Sequence, residues 1–313
     1  MRLVFMGTPE FAVPSLEALL DAGHQVLQVY TQPDRPKGRG QQETASPVKL
    51  CAIRHQIPVR QPLKIRQPEV VEELAGLSTD AMVVVGYGQI IPQRIIDLPR
   101  LGIINVHASL LPKYRGAAPI QWAIANGERV TGVTTMRIDA GLDTGDMLLK
   151  AETEIGFDET ALELGPRLAS IGAVLLVETL RGLEDGSVTP APQDHSEATL
   201  APVLTKEDGL INWELPAPVI FNRARGFLPW PGAWTMFRGQ RFNIWRCRPV
   251  QPEGCAAPGT LYSLGRRLLA TCGGDSALEL LEVQLEGRKR VSAEAFLNGQ
   301  RLDAGELMGG PAA

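Results

Sequence analysis

Two side chains with useful chemistry, those of Asn105 and His107, follow the short apolar run Gly102-Ile103-Ile104. An amide N–H can donate a hydrogen bond to a carbonyl oxygen, and an imidazole exchanges a proton near neutral pH. In an open α/β sheet, ligands bind at the carboxyl ends of the strands. The pair is therefore typical of a site that polarises a carbonyl group and moves a proton.

A carboxylate comes later in the chain, in the glycine-rich loop Asp139-Ala-Gly-Leu-Asp143-Thr-Gly-Asp146, after the predicted strand Val133–Ile138. We expect Asp143 to face a cleft because it lies between two glycines. The three aspartates also fit turn formers or caps, and a metal site lacks a further ligand. An Asn, a His and an Asp at separate strand ends form a candidate catalytic constellation.

A basic loop rich in glycine and proline, Gln32–Pro47, contains Arg35, Lys37 and Arg39. The loop is long for a connection between a strand and a helix, and long loops tend to be functional or mobile. A solvated loop and a loop that contacts phosphate or nucleic acid explain these cations equally well.

The elements that must position these residues alternate between strand and helix over residues 1–182, which predicts an α/β fold with a doubly wound parallel sheet. A proline-containing linker follows, and then short alternating runs separated by glycine-containing turns predict a small β-barrel or sandwich. We therefore predict a catalytic domain over residues 1–189, a linker over 190–206 and a β-barrel domain over 207–313.

The composition excludes several classes of protein. Hydrophobic residues make up 44% and charged residues 21% of the 313 residues, and the net charge is −4. These values are ordinary for a globular protein and exclude a globally basic nucleic-acid binder. The four cysteines form no C-x-x-C pair, so we expect neither a metal site nor a disulfide framework. No apolar run is long enough to span a bilayer, and no signal peptide is evident, so we expect a cytoplasmic protein.

Several segments together resemble the methionyl-tRNA formyltransferases, a branch of the 10-formyltetrahydrofolate-dependent formyltransferase family. The segments Asn105-Val-His-Ala-Ser-Leu-Leu-Pro112, Arg115-Gly-Ala-Ala-Pro119 and Gly141-Leu-Asp-Thr-Gly-Asp146 are similar to the family signature. Gly7-Thr-Pro, the loop 32–47 and Phe227-Leu-Pro-Trp230 are similar to features of the tRNA-formylating branch. The resemblance covers nearly all of the 313 residues.

The resemblance implies a Rossmann-like N-terminal domain and a C-terminal barrel similar to an OB fold. It implies formyl transfer from 10-formyltetrahydrofolate to the amino group of methionyl initiator tRNA, a step in translation initiation, with no metal. Matched by position, the catalytic residues are Asn105, His107 and Asp143. The folate site is implied at Ser109, Leu110, Leu111 and Pro112, with Tyr87, Gly88 and Gln89 nearby, and Arg35, Lys37 and Arg39 are the expected tRNA contacts.

Other functions remain open at this point. A folate-dependent formyltransferase acting on a ribonucleotide or a sugar amine shares the chemistry, but such an acceptor needs neither the basic loop nor the barrel. A non-catalytic RNA-binding protein does not explain the Asn, His and Asp at strand ends. A dehydrogenase is disfavoured because the first loop, Gly7-Thr-Pro9, lacks the G-x-G-x-x-G pattern. One active site per chain makes a monomer sufficient.

Overall fold

The computed structural model describes residues 1–37, 42–254 and 256–309, without the side chains of Lys37 and Gln42. The chain folds into two compact units. One contains Met1–Pro119, Val130–Glu154 and Gly165–Ala201, and the other contains Ile120–Arg129, Ile155–Leu164 and Pro202–Ala313. The domain boundaries given above stay a prediction.

Over residues 1–201, strands and helices alternate as the sequence predicts. The strands are β1 (Arg2–Gly7), β2 (Gln25–Tyr30), β3 (Arg35–Lys37), β4 (Gln42–Thr44), β5 (Val59–Arg60), β6 (Ala81–Val85), β7 (Ile103–His107), β8 (Arg115–Gly116), β9 (Val130–Arg137), β10 (Met147–Glu154) and β11 (Leu200–Ala201). The helices are α1 (Val13–Asp21), α2 (Pro47–Arg54), α3 (Pro68–Gly76), α4 (Gln93–Ile96), α5 (Pro119–Ala125) and α6 (Ala161–Asp185).

The main sheet of the first unit has the strand order β10-β9-β7-β6-β1-β2-β5. Its strands β5, β2, β1, β6 and β7 run parallel, and all five residues of β6 are buried, as expected for a strand covered on both faces. The Rossmann-like α/β class is thereby confirmed. The sheet is mixed rather than parallel throughout, because β9 runs antiparallel to β7 and β10 runs antiparallel to β9.

Two segments predicted as irregular contain regular structure. The basic loop carries an antiparallel hairpin, in which Arg35 pairs with Thr44 and Pro36 pairs with Glu43. Part of the predicted linker forms β11, which pairs in parallel with β8. Short pairings of this kind leave little hydrophobic periodicity in the sequence, which explains why the pattern did not reveal them.

The second unit contains an antiparallel sheet with the strand order β12-β13-β16-β15-β14-β18, to which β17 adds beside β16. Gly309 N donates a hydrogen bond to Met236 O at 2.9 Å, which joins the chain after the last strand to the first strand and closes a barrel. The predicted β-barrel is confirmed. The elements are α7 (Ala217–Gly226), β12 (Ala233–Phe237), β13 (Gln240–Val250), β14 (Thr260–Leu264), β15 (Arg267–Cys272), β16 (Ser276–Leu285), β17 (Val291–Ser292), α8 (Ala293–Gly299) and β18 (Glu306–Leu307).

Candidate active site

Strand β7 positions Asn105 and His107 on one face of the main sheet. Alternate residues of a strand project to the same face, and both side chains are buried, with exposures of 9% and 5%. β7 is paired on both sides, with β6 and with β9, so backbone hydrogen bonds fix the register of both residues. The amide and the imidazole are therefore held on a rigid element.

Asp143 reaches the same face from the loop between β9 and β10. Its Oδ1 lies 3.4 Å from Asn105 Nδ2, and its Oδ2 lies 3.7 Å from His107 Nδ1. Gly116 N donates to the same Oδ2 at 2.9 Å. The structure thus brings together the three residues that the sequence predicted as a constellation.

The protonation pattern of His107 follows from its second ring nitrogen. His107 Nε2 lies 2.9 Å from the backbone oxygen of Tyr114. A carbonyl oxygen only accepts hydrogen bonds, so Nε2 carries a proton in this arrangement. The other nitrogen, Nδ1, faces Asp143 and is therefore the atom at which a proton can be gained or lost.

The segment after β7 is held by one buried hydroxyl. Thr134 Oγ1 donates to Ser109 O at 2.7 Å and accepts from Leu111 N at 3.1 Å, while Ser109 Oγ donates to Lys113 O at 2.6 Å. The peptide bond between Leu111 and Pro112 is cis. Ser109 and Leu111 are buried, whereas Leu110 and Pro112 are partly exposed.

The residues after β6 have different surroundings. The Tyr87 side chain is buried in the core, which raises the pKa of its phenol, and its hydroxyl has no hydrogen-bond partner among the described residues. Gln89 binds a neighbouring segment, because its Oε1 accepts from Ile65 N and its Nε2 donates to Pro62 O. Gly88 adopts a positive φ of 83°. The Tyr87 ring is therefore enclosed in the core, and its backbone oxygen accepts from Thr8 Oγ1 and from Gln32 Nε2, each at 3.1 Å.

A cavity of about 510 Å³ opens at the carboxyl ends of β1, β2 and β6. Ligand pockets usually fall in this range of volume. Gly86 and Gly88 form part of its wall, and a Cβ atom added at Gly86 would lie 2.9 Å from Pro9 Cγ. The exposed Arg35 also lines this cavity. Lys37 lies in β3, and Arg39 lies outside the described residues.

Comparison with known proteins gives the family. The formyl transferase family matches residues 1–180, and the formyl transferase C-terminal domain matches residues 203–301. The chain is 64% identical to the methionyl-tRNA formyltransferase of Solibacter usitatus (strain Ellin6076) over 309 residues, which is 99% of either chain. It is 58% identical to that of Koribacter versatilis (strain Ellin345), again over 99% of each.

This chain belongs to the methionyl-tRNA formyltransferase family. A solved N-formyltransferase from Helicobacter canadensis, in complex with folinic acid and dTDP-3-aminofucose, shares the fold, with a TM-score of 0.66 at 18% identity over 89% of this chain and 98% of that one. The family matches and the relatives at 58% and 64% identity confirm the resemblance read from the signature segments, and the chain is a formyltransferase.

Two buried polar residues near the trio were not singled out by sequence. Arg115 donates to Gln193 Oε1 from Nε at 3.0 Å and from Nη2 at 2.7 Å. Gln193 Nε2 donates to Asp143 O at 2.9 Å and to Gly145 O at 2.7 Å. Arg115 belongs to a family-like segment, but Gln193 lies in the proline-containing stretch predicted as a linker, where no periodicity marks a buried side chain.

Other described residues bear on metal binding and membranes. The ligand atoms of Glu17, Cys51 and His55 lie within 4.8 Å of one another, but Arg54 Nη2 already pairs with Glu17 Oε1 at 3.2 Å. Burial raises the pKa of the Cys51 thiol, which disfavours the thiolate that binds metals.

Within the part of the chain that the structure describes, no helix has both the length and the hydropathy to cross a membrane.

Proposed function

We propose that this formyltransferase transfers the formyl group of 10-formyltetrahydrofolate to the amino group of methionyl initiator tRNA. The observation that carries the proposal is the cluster of Asn105, His107 and Asp143 on one sheet face. The similarity to methionyl-tRNA formyltransferases over 99% of the chain supports this acceptor.

The proposed chemistry is acyl transfer to an amine. The amine nitrogen attacks the formyl carbon and forms a C–N bond, a tetrahedral oxyanion develops, and the bond from that carbon to N10 of the folate breaks. Asn105 donates a hydrogen bond to the oxyanion, and the imidazolium form of His107 stabilises it further. The ammonium group of the acceptor loses one proton to become the attacking amine, and we propose that Asp143 takes up that proton through water. After the attack the same nitrogen loses a second proton, and N10 gains one as its bond to the formyl carbon breaks, so the products are the formamide and tetrahydrofolate.

The arrangement around the trio suits these roles. Nε2 of His107 is held by Tyr114 O, so that Nδ1 is the nitrogen that takes part in proton exchange. Asp143 faces this nitrogen and keeps the ring oriented. Charge that develops near the buried Asn105 and His107 is poorly screened by water, which strengthens each of these interactions. The reaction needs neither a metal ion nor a covalent enzyme intermediate.

The folate is proposed to lie against the segment after β7, at Ser109, Leu110, Leu111 and Pro112, with the backbone of Tyr87 and Gly88 nearby. The buried hydroxyl of Thr134 supports this segment from β9. Gln89 contributes by holding the chain at Pro62 and Ile65 rather than through a free amide.

For the tRNA, the proposed contacts are the cations of the basic loop 32–47, namely Arg35, Lys37 and Arg39. Arg35 is exposed and lines the 510 Å³ cavity, where it is available to a phosphate. A formyltransferase acting on a ribonucleotide or a sugar amine is the alternative, and the solved neighbour at 18% identity supports the fold alone. A monomer in the cytoplasm stays the prediction for the working state.

A formylation assay separates these acceptors. The protein is incubated with methionyl initiator tRNA, with free methionine and with small amines, each with and without 10-formyltetrahydrofolate. We expect formyl transfer to the charged tRNA, dependent on the folate, at a kcat/KM at least about 10³-fold above the small amines. If kcat/KM with a ribonucleotide or a sugar amine equals or exceeds that with the charged tRNA, the proposed acceptor is wrong and the alternative holds. Absence of folate-dependent transfer to every amine would reject the catalytic proposal.

A further inference from the structure

Arg115 and Gln193 form a buried polar pair next to the loop that carries Asp143, and the two residues are 7% and 6% exposed. Buried polar groups are expensive unless their hydrogen bonds are made. We infer that this pair is a positioning device that holds Asp143 against His107 during formyl transfer. The inference rests on the proposed catalytic role of Asp143.

Asp143 needs such support because of its backbone. Its φ is 51°, in the left-handed region that non-glycine residues seldom adopt. Such a conformation costs free energy and persists only where the surrounding structure determines it. Within the loop, the Asp139 carboxylate accepts from Gly141 N and from Thr144 Oγ1, but neither of these bonds involves Asp143 itself.

The Gln193 amide supplies this constraint. Its Nε2 donates to two backbone oxygens that lie on either side of Thr144, those of Asp143 and Gly145. One amide group thus ties together the turn that carries the carboxylate. A glutamine is well suited to this task, because its nitrogen carries two N–H donors while its oxygen accepts independently.

Arg115 fixes the orientation of that amide. Its Nε and Nη2 both donate to Gln193 Oε1, which forces Nε2 to face the loop. Nη2 also lies 3.1 Å from His195 Nδ1, which accepts from it. All the hydrogen-bonding positions of the amide are then used, two by Arg115 and two by the loop.

Gly116, the residue after Arg115, contacts the side chain of Asp143 rather than its backbone. Gly116 N donates to the Asp143 carboxylate at 2.9 Å, while Arg115 acts through Gln193 on the Asp143 backbone. Pairing of β8 with β11 anchors both residues, because Arg115 N donates to Thr199 O at 2.9 Å. One two-residue strand therefore fixes the side chain and the main chain of the same aspartate.

The test uses Gln193→Glu, which keeps the acceptor for Arg115 but removes both donors to the loop and places an anionic oxygen against two carbonyls. We expect kcat to fall by about 10²-fold, as expected for a small misplacement of a reacting group, with KM for the folate and for the tRNA changed by less than about twofold. The control is Gln25→Glu, an exposed residue at the start of β2, for which no change is expected.

A double-mutant cycle distinguishes positioning from a general loss of structure. If Gln193 acts through Asp143, then Gln193→Glu lowers the single-turnover rate of an Asp143→Asn enzyme by no more than about twofold, because coupled residues are not additive. An equal loss in both backgrounds, or full kcat for Gln193→Glu alone, would overturn the inference.

The second member of the buried pair, Arg115, gives an independent variant. Arg115→Lys retains the charge but not the paired donors, and it is expected to show the same non-additivity with Asp143→Asn if Gln193→Glu fails to fold; additive losses would contradict the inference. Asp143→Asn by itself tests the proposed function. Full turnover of that variant rejects the catalytic role of Asp143, whereas an impaired Asp143→Asn beside a normal Gln193→Glu rejects only the positioning role.

Discussion

Asp143 Oδ2 lies 3.7 Å from His107 Nδ1. However, β9, the strand before Asp143, ends beside the first residues of β7, whereas His107 is the last residue of β7. β9 is antiparallel to β7, and Ile138 N donates to Ile103 O beside the first residue of β7. The loop must therefore run back along the face of the sheet to bring the carboxylate to the imidazole. The position of Asp143 therefore depends on the course of this loop and not only on where β9 ends.

Removing the proposed oxyanion donor tests the centre of the site. Asn105→Ala is expected to lower the single-turnover rate of formyl transfer by about 10²–10³, the usual loss for one such donor, while the melting transition stays cooperative. His107→Ala is expected to abolish most turnover in the same assay. A near-normal single-turnover rate in either folded variant would contradict the assigned roles.

Neutralising the carboxylate tests Asp143 in a second way. Asp143→Asn keeps an oxygen for Gly116 N but removes the charge that faces His107, so we expect turnover to fall by about 10²-fold or more with little change in folate affinity. Asp139→Asn is the matched control, because Asp139 is exposed in the same loop and the amide oxygen can still accept from Thr144 Oγ1. Equal losses in the two variants would show a loop effect rather than a role for the Asp143 charge.

The sequence predicted that Asn105, His107 and Asp143 lie close together, as the distances between them show, while their catalytic roles stay a prediction. The apolar run before Asn105 indicates a buried strand, and an alternation of two places Asn105 and His107 on one face once the strand exists. The family-like segments then predicted which amide, imidazole and carboxylate meet. These features are local, or are carried by a recognisable signature, so tertiary information was not needed to find them.

Other features depend on contacts that no local pattern reports. The direction of β9 is decided by its pairing with β7 and β10, and strand periodicity is the same for either direction. Gln193 is buried by Arg115 and by the loop at Asp143, while its sequence neighbours are a proline and an exposed aspartate. From sequence alone, the aromatic ring of Tyr87 could stack on a flat ligand or pack in the core. Only the fold shows that the ring lies in the core.

The hydroxyl of Thr134 offers a prediction about stability. In Thr134→Val, Ser109 O and Leu111 N lose their partner in the buried segment after β7, and an unsatisfied buried group costs about 1–3 kcal/mol. We expect a decrease of this size in the free energy of unfolding, measured with urea, and an increase in KM for 10-formyltetrahydrofolate. Thr131→Val is the control, because Thr131 is a buried threonine of the same strand, β9, and does not hold the segment after β7. A loss no larger than that of Thr131→Val would contradict the supporting role of Thr134.

The base of the basic hairpin carries a pH-dependent interaction. Hydrogen bonds from Lys49 and then from Gln61 lower the pKa of Asp34 below its ordinary value of 3.8. Because the folded state has the lower pKa, the stabilisation is present above the ordinary value and is lost as the pH falls through the folded value. The difference in unfolding free energy between wild type and Asp34→Asn is therefore expected to be constant from about pH 7 to 5 and to shrink in more acid solution. A difference that grows as the pH falls would contradict the role of the charged form.

If the cations of the basic loop 32–47 contact phosphate, the affinity for the tRNA depends on salt. Each phosphate contact that is lost lowers the slope of log affinity against log salt by about 0.7–0.9, because one fewer counterion is released on binding. Arg35→Ala and Arg39→Ala are each expected to raise KM for methionyl initiator tRNA and to flatten its salt dependence by about this amount, while KM for 10-formyltetrahydrofolate stays unchanged. Arg66→Ala, an exposed arginine outside the hairpin, is the matched control and should behave as wild type. If either variant has the wild-type KM and salt slope, the replaced arginine contacts no phosphate, and other residues must bind the tRNA.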